Sequence, residues 1–132
     1  MTRRLISTGS PMEREAGYSR AVVQNVAGSN WCFVSGTTGY SYATMQIPPD
    51  VEMQTRNALA TIAATLAEAG FAMSDVVRCN TIVADRALVT RVFPILGETF
   101  GPIRPAATMI VAGLIDERML VEIEATALRG ER

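Results

Sequence analysis

Apolar and polar residues alternate near the C-terminal end of the chain, over Met119–Leu128. One face of this stretch carries Met119, Val121, Ile123, Ala125 and Ala127, and the other carries Leu120, Glu122, Glu124, Thr126 and Leu128. A period of two predicts a half-buried strand. The stretch Ala106–Val111 is rich in strand-forming residues, and the charged connection Ala112–Arg118 with Gly113 predicts a surface loop between two strands.

Four earlier stretches are typical of strands because β-branched and aromatic residues follow one another between turn-forming residues. They are Arg4–Ser7, Tyr18–Val26, Asn30–Gly36 and Val76–Ala84. Residues 27–30 predict a tight turn between the second and third strands. Glycine, proline and polar residues predict loops at Thr8–Gly17 and Thr37–Pro49.

Two further segments have the spacing of amphipathic helices. In the first, Asp50 is the predicted N-cap and Gly70 the predicted end, and the sheet-facing stripe is Leu59, Ile62, Ala63 and Leu66. In the second, Asp85 is a candidate cap, and the stripe is Leu88, Val92, Leu96 and Phe100. Pro94 lies inside that stripe and is expected to kink or split the helix near Val92, and Gly101-Pro102 is expected to end it.

The order β-β-β-α-β-α-β-β predicts an α+β fold in one domain, residues 1–132, with a single mixed sheet and both helices on one face. The opposite face of such a sheet needs a partner. Hydrophobic residues make up 48% of the chain and charged residues 19%, a high apolar share for a small monomer. We therefore expect an oligomer.

The charge balance argues against nucleic acid as a partner, since 12 basic and 13 acidic residues leave a net charge of −1. The chain has no lysine and no histidine, so the usual general base and metal ligand is missing. The isolated cysteines Cys32 and Cys79 are interpreted as reduced thiols of a cytoplasmic protein. No apolar run approaches the length of about 18 residues needed to cross a membrane.

Several motifs together resemble the Rid family of reactive intermediate deaminases, the YjgF-type proteins. They are AGYSRAV (16–22), FVSGTTG (33–39), QTRNALATIAATLAEAG (54–70), DVVRCNTIVAD (75–85), PAAT (105–108) and VEIEATA (121–127). The motifs occur in the family's order and spacing over essentially the whole chain. The resemblance implies a chorismate-mutase-like homotrimer, with ligand clefts between neighbouring subunits.

The resemblance also implies a chemistry. Typical deaminase members hydrolyse imines and enamines, with an arginine binding the substrate carboxylate and a glutamate positioning the water. Glu122 matches that glutamate, Tyr18 the family's tyrosine, and Ser35 with Gly36 the pocket floor. Each has a plainer interpretation: a solvated strand carboxylate, an interface aromatic and a turn at a strand end, respectively.

The chain departs from the family at the arginine, because Ala107 occupies its position. Ala107 and the neighbouring Thr108 are both candidates for contacting the substrate. Arg104 lies three positions earlier, which on a continuous strand would place it on the opposite face about 10 Å away. It could reach the cleft if the strand begins after Pro105, and otherwise it is a surface or interface arginine. Arg20 and Arg78 are alternative cations.

Three functions remain open from the sequence. The first is hydrolysis of an imine or enamine with Glu122 orienting water, and the second is binding of a small metabolite without turnover, which Ala107 favours. The third, ribonuclease activity or inhibition of translation, is disfavoured by the charge and by the missing histidine and lysine. No metal site and no cofactor are expected, because two separated cysteines without histidine do not form a normal zinc site.

Overall fold

The structure is a computed structural model that describes residues 2–130. Within these residues six strands form: β1 (Arg3–Ile6), β2 (Ala21–Val26), β3 (Ser29–Thr38), β4 (Val76–Val83), β5 (Ala106–Val111) and β6 (Val121–Gly130). The described α-helices are α1 (Pro11–Ala16), α2 (Val51–Glu68) and α3 (Val89–Phe100). Short 3₁₀ turns occupy Met73–Asp75 and Arg86–Leu88.

The strands form one mixed sheet in the order β1-β2-β3-β6-β4-β5. Strands β4 and β5 are parallel, and the other pairs are antiparallel. The last strand therefore lies in the middle of the sheet, with β3 on one side and β4 on the other. This confirms the predicted α+β fold with a single mixed sheet.

Helices α2 and α3 cover one face of the sheet and enclose the core. Val121, Ile123, Ala125 and Ala127 of β6 are buried under them, and the alternate residues face the other side. Asp50 caps α2 by accepting a hydrogen bond from the Met53 N–H at 3.1 Å, as predicted. Gly70 follows the helix with φ +87°, a left-handed conformation that suits glycine at this position.

The predicted loop Thr8–Gly17 is wrong over residues 11–16, which form helix α1. Ser10 accepts a hydrogen bond from the Glu13 N–H, and the Glu13 carboxylate bonds back to Ser10, which completes a capping box. Pro11 follows the cap, where its missing N–H costs nothing. A six-residue helix is too short to show a hydrophobic period, so the capping signal alone marked it.

The second helix was predicted to kink or split near Val92, and the split does not occur, because α3 runs unbroken from Val89 to Phe100 with Pro94 inside it. Proline removes one backbone hydrogen bond there, and the buried side chains of Val92, Ile95 and Phe100 hold the helix on the core. Asp85 caps the preceding 3₁₀ turn by accepting from the Ala87 N–H at 2.8 Å.

The turn between β2 and β3 is the tight connection predicted from the sequence. Ala27 and Gly28 both have positive φ, 50° and 84°, which is the backbone sense of a two-residue hairpin turn. Strand β2 begins at Ala21, three residues later than the prediction. Tyr18 therefore lies before the strand, in the segment that leads from α1.

The sheet face opposite the helices, called here the open face, carries large apolar side chains. Leu5 is 58% exposed, Phe33 47% and Ile110 55%. Strand β5 forms one edge of the sheet with most of its residues exposed. An exposed apolar edge strand favours pairing with another molecule. Among the described residues, no helix is long and apolar enough to span a membrane.

Candidate functional site

Glu122 lies in the middle of the open face. Cross-strand pairing places Thr38 of β3 on one side of it and Ile82 of β4 on the other, and Ile110 of β5 continues the same row. The Glu122 side chain is half-buried. It is therefore a central carboxylate between partly apolar neighbours rather than a freely solvated one.

The Ser35–Gly36 segment is shaped to receive this carboxylate. The β3–β6 register shifts between Val34 and Thr37, so Ser35 and Gly36 form a bulge. A Cβ atom built on Gly36 would lie 2.8 Å from the Glu122 Cδ and 3.0 Å from its Oε1. The missing side chain at Gly36 is therefore what allows the carboxylate to lie against the β3 backbone.

Glu122 lines a cavity of about 340 Å³ on the open face, called here the Glu122 cavity. Its other lining residues are Gly36, Arg78, Asn80, Thr81, Ile82, Thr108, Ile110 and Glu124. Asn80 donates a hydrogen bond to Glu124 at 2.9 Å and so orients that second carboxylate. The cavity combines two carboxylates and one arginine with apolar walls, which suits a small polar ligand with a positively polarised centre.

The surroundings of Glu122 change its affinity for protons. Burial raises the pKa of the Glu122 carboxyl, the neighbouring Glu124 carboxylate raises it further, and the positive charge of Arg20 lowers it. The net shift is upward. A glutamate with a raised pKa accepts a proton from water more readily than a solvated one does.

Ala107 does not face the Glu122 cavity. It pairs with Cys79, a core residue, so its side chain points to the helix side of the sheet, whereas Thr108 pairs with Asn80 on the open face. Ala107 lines a second cavity of about 380 Å³ between β5 and α3, called here the Ala107 cavity. Its walls are largely apolar and include Phe93, Leu96, Phe100 and Met109.

Arg104 lines the same Ala107 cavity and is the one charged residue among the described residues that do so. It precedes β5 and has φ +59°, and its N–H donates to the Phe100 carbonyl at 2.8 Å at the end of α3. The left-handed backbone turns the chain before the strand begins. Arg104 is therefore not part of a continuous strand with Ala107, and the alternation that would have placed the two side chains on opposite faces does not apply to it.

The structure thus distributes the predicted site residues over two cavities. Gly36, Thr108 and Glu122 line one, and Arg104, Ala107 and again Thr108 line the other. Ser35 lines neither cavity, and its hydroxyl donates to the Ser19 carbonyl at 2.5 Å, which closes the bulge against the segment before β2.

Tyr18 also lines neither cavity. The centroid of its exposed ring lies 5.8 Å from the guanidinium carbon of the buried Arg20. The ring centroid of Tyr42 lies 4.5 Å from the same carbon. Sequence reasoning did not assign Asn80 and Glu124 to the site. The period of two on β6 was the available signal for Glu124, since it places residues 122 and 124 on one face.

The sequence and the fold match those of known proteins over most of the chain. The sequence model of the Endoribonuclease L-PSP family matches residues 8–129. An uncharacterized protein of Streptomyces coelicolor is 34% identical over 128 residues, which are 96% of this chain and 92% of that protein.

Solved structures agree. A YjgF/YER057c/UK114 family member from Mycobacterium tuberculosis is 38% identical, with a TM-score of 0.82 and coverage of 96% and 98% of the two chains. A Rid family protein of unknown function from Yersinia pestis is 26% identical, with a TM-score of 0.80 over 96% and 98%. The chain belongs to this YjgF/Rid family, described by its model as Endoribonuclease L-PSP.

Proposed function

We propose that the protein hydrolyses an imine or enamine of a small metabolite in a cleft between two copies of the chain, with Glu122 orienting and deprotonating the water. The observation that carries the proposal is the Glu122 carboxylate, half-buried against the Gly36 backbone with its pKa raised. It lies in a cavity large enough for a metabolite of a few heavy atoms.

The reaction needs few catalytic groups. Water adds to the electrophilic carbon of the C=N bond, and the proton that it loses passes through the carboxylate to the nitrogen. In the resulting carbinolamine the hydroxyl proton also passes to the nitrogen as the C–N bond breaks, giving a carbonyl product and ammonia or an amine. An enamine enters the same sequence after protonation at carbon has converted it to the imine. Because an imine is already electrophilic, a positioned water and a carboxylate base are sufficient.

Glu122 and Ala107 lie on opposite faces of one sheet, which supports a cleft completed by a second copy of the chain. We propose a homotrimer in which the Ala107 cavity of one subunit meets the Glu122 cavity of its neighbour. The exposed residues Ile110 and Phe93, 55% and 57% accessible, lie beside these cavities and would be covered by such contacts.

Arg104 is proposed to bind a substrate carboxylate. It would replace the arginine that deaminase members of the family carry at the position of Ala107. Its guanidinium makes no hydrogen bond or ion pair with residues 2–130, and it borders a cavity with mostly apolar walls. Its left-handed backbone costs a non-glycine residue about 1 kcal/mol. A fork of N–H donors above apolar walls suits a carboxylate on an apolar body.

Binding of a metabolite without turnover is the second candidate, and Ala107 is the observation that favours it. The family name also raises RNA cleavage. The net charge of −1 and the absence of lysine and histidine from the sequence give little support for RNA binding or for histidine-based cleavage.

Co-expression of two variants tests the shared cleft. Glu122→Gln and Arg104→Ala are each expected to lose hydrolysis of freshly generated 2-imino acids. Mixed assemblies should recover about a quarter of wild-type activity. With random assembly, that share of the clefts pairs a subunit with an intact Glu122 and a neighbour with an intact Arg104.

No recovery in the mixture would contradict the shared cleft. A wild type that binds 2-oxo acids, the stable analogues, but does not accelerate imine hydrolysis would support the binding module instead. Cleavage of single-stranded RNA at a rate that Glu122→Gln abolishes would replace the proposal with a nuclease.

A further inference from the structure

Arg20 is fully buried, at 0% exposure, immediately before β2. Of the arginines in residues 2–130 it is the one that is buried, and no carboxylate among these residues lies within ion-pair distance of it. A buried charge without a direct counter-charge is costly and is retained where its surroundings compensate for it.

The contacts of Arg20 explain how the charge is held. Its Nη1 donates to the Gly36 carbonyl at 2.8 Å and to the Thr37 hydroxyl at 3.1 Å. The rings of Tyr18 and Tyr42 flank the guanidinium, with centroid distances of 5.8 Å and 4.5 Å. Aromatic faces attract a cation at such distances. The buried Nε has no hydrogen-bond partner in the structure.

These contacts converge on the bulge that supports Glu122. Arg20 holds the Gly36 carbonyl, and the Gly36 backbone is the surface on which the Glu122 carboxylate lies. Tyr42 adds a second link, since its hydroxyl accepts from the Thr38 N–H at 3.0 Å, and Thr38 is the cross-strand partner of Glu122. Arg20 is thus joined to Glu122 through one layer of β3 backbone.

We infer that Arg20 is a positioning residue for Glu122: it fixes the Ser35–Gly36 bulge against which the carboxylate lies, and it places a buried positive charge behind that bulge. The inference rests on the proposed function for the role of Glu122. The charge of Arg20 lowers the pKa of Glu122, whereas Glu124 on β6 raises it. Arg78 on β4 lines the same cavity as Glu122 and is a more exposed cation. The titratable groups that face Glu122 from the neighbouring elements are therefore Arg20, Arg78 and Glu124.

The direct test is titration of the Glu122 side-chain carboxyl by NMR in protein labelled with ¹³C-glutamate. Removing the charge in Arg20→Gln should raise the pKa of Glu122, whereas Arg20→Lys, which keeps the charge, should leave it closer to the wild-type value. Arg3→Gln, a matched loss of an exposed arginine on β1, should leave it unchanged. A folded Arg20→Gln variant in which Glu122 titrates as in the wild type would overturn the inference.

A reciprocal measurement keeps the test decisive if Arg20→Gln does not fold. Coupling between two groups is mutual, so the Nε–H resonance of Arg20 in the wild-type protein should shift as Glu122 titrates. The shift should disappear in Glu122→Gln. A resonance that stays constant through the Glu122 titration would overturn the inference.

These readouts do not depend on turnover, so they separate the two proposals. Coupled titration in a protein that hydrolyses no imine would retain the role of Arg20 and reject the proposed reaction. Imine hydrolysis in a protein whose Arg20 and Glu122 titrate without coupling would retain the proposed reaction and reject the role of Arg20. If both hold, the acid limb of the activity profile should move to higher pH in Arg20→Gln.

Discussion

Gly36 and Glu122 are in direct contact across two neighbouring strands: a Cβ atom on Gly36 would lie 2.8 Å from the Glu122 Cδ. The contact joins a backbone irregularity in β3 to a carboxylate in β6. It explains why a bulge, a glycine and a mid-strand glutamate occur together, and it makes the position of the carboxylate sensitive to very small changes in β3.

Gly36→Ala should therefore impair the site more than the fold. The new methyl group would displace the flexible end of Glu122 rather than backbone, so stability should change by less than about 1 kcal/mol. Ligand-dependent activity should fall roughly tenfold to a hundredfold, because catalysis depends on sub-ångström placement. Gly113→Ala, in the exposed loop with nothing within 4 Å, is the matched control. Equal activity in both variants would contradict the contact.

Glu124→Gln should extend activity to lower pH. The Glu124 carboxylate raises the pKa of Glu122, so its removal should lower that pKa and keep Glu122 ionised in more acidic solution. The measurement is the pH dependence of kcat/KM, and the acid limb should move opposite to that of Arg20→Gln. An acid limb unchanged by Glu124→Gln would show that Glu122 is not the titrating group.

Glu13 predicts how stability depends on pH. Burial alone would raise the pKa of this carboxyl, but hydrogen bonds from the hydroxyls of Thr8, Ser10 and Ser7 lower it to about 2. The stabilisation is present above the ordinary value of 4.5 and is lost as the pH falls towards 2.

Urea unfolding of wild type and Glu13→Gln at pH 7 and pH 3 measures this contribution. The variant should be less stable by about 1–3 kcal/mol at pH 7, and the difference should narrow at pH 3. A difference that is the same at both pH values would mean that the charge of Glu13 does not contribute.

Gln54 is predicted to be essential for stability. Its buried side chain donates to the Pro48 and Arg118 carbonyls at 2.8 Å each and accepts from the Leu120 N–H at 2.9 Å, so α2 holds both long loops. Gln54→Leu should cost at least about 2 kcal/mol in unfolding free energy, since three backbone groups lose their partner. The exposed Gln46→Leu should cost much less, and equal losses would contradict this assignment.

Hydrophobic periodicity predicted the sheet, the two long helices and the side of β6 on which Glu122 lies, because each of these depends on a face that is buried. Helix α1 was missed because its evidence is a capping box rather than a period. The unbroken α3 was missed because packing on the core outweighs the single hydrogen bond that Pro94 removes.

The site was harder to predict because it depends on long-range geometry. The β3 register shift that places Gly36 against Glu122 cannot be derived from residue spacing along one strand. The left-handed Arg104, which brings this arginine to the Ala107 cavity, has no signal in residue type, since arginine rarely adopts that conformation. The burial of Arg20 also depends on long-range geometry, because the segments that carry Tyr18, Gly36 and Tyr42 meet around its side chain.

The most direct test of the central claim is the rate of hydrolysis of a freshly generated 2-imino acid by wild type and by Glu122→Gln. Glu117→Gln, the same change on an exposed loop residue, is the control. The account predicts that Glu122→Gln keeps its fold and assembly but loses roughly 10²–10⁴-fold in rate, the range for loss of a general base. Equal rates in all three folded proteins would contradict it.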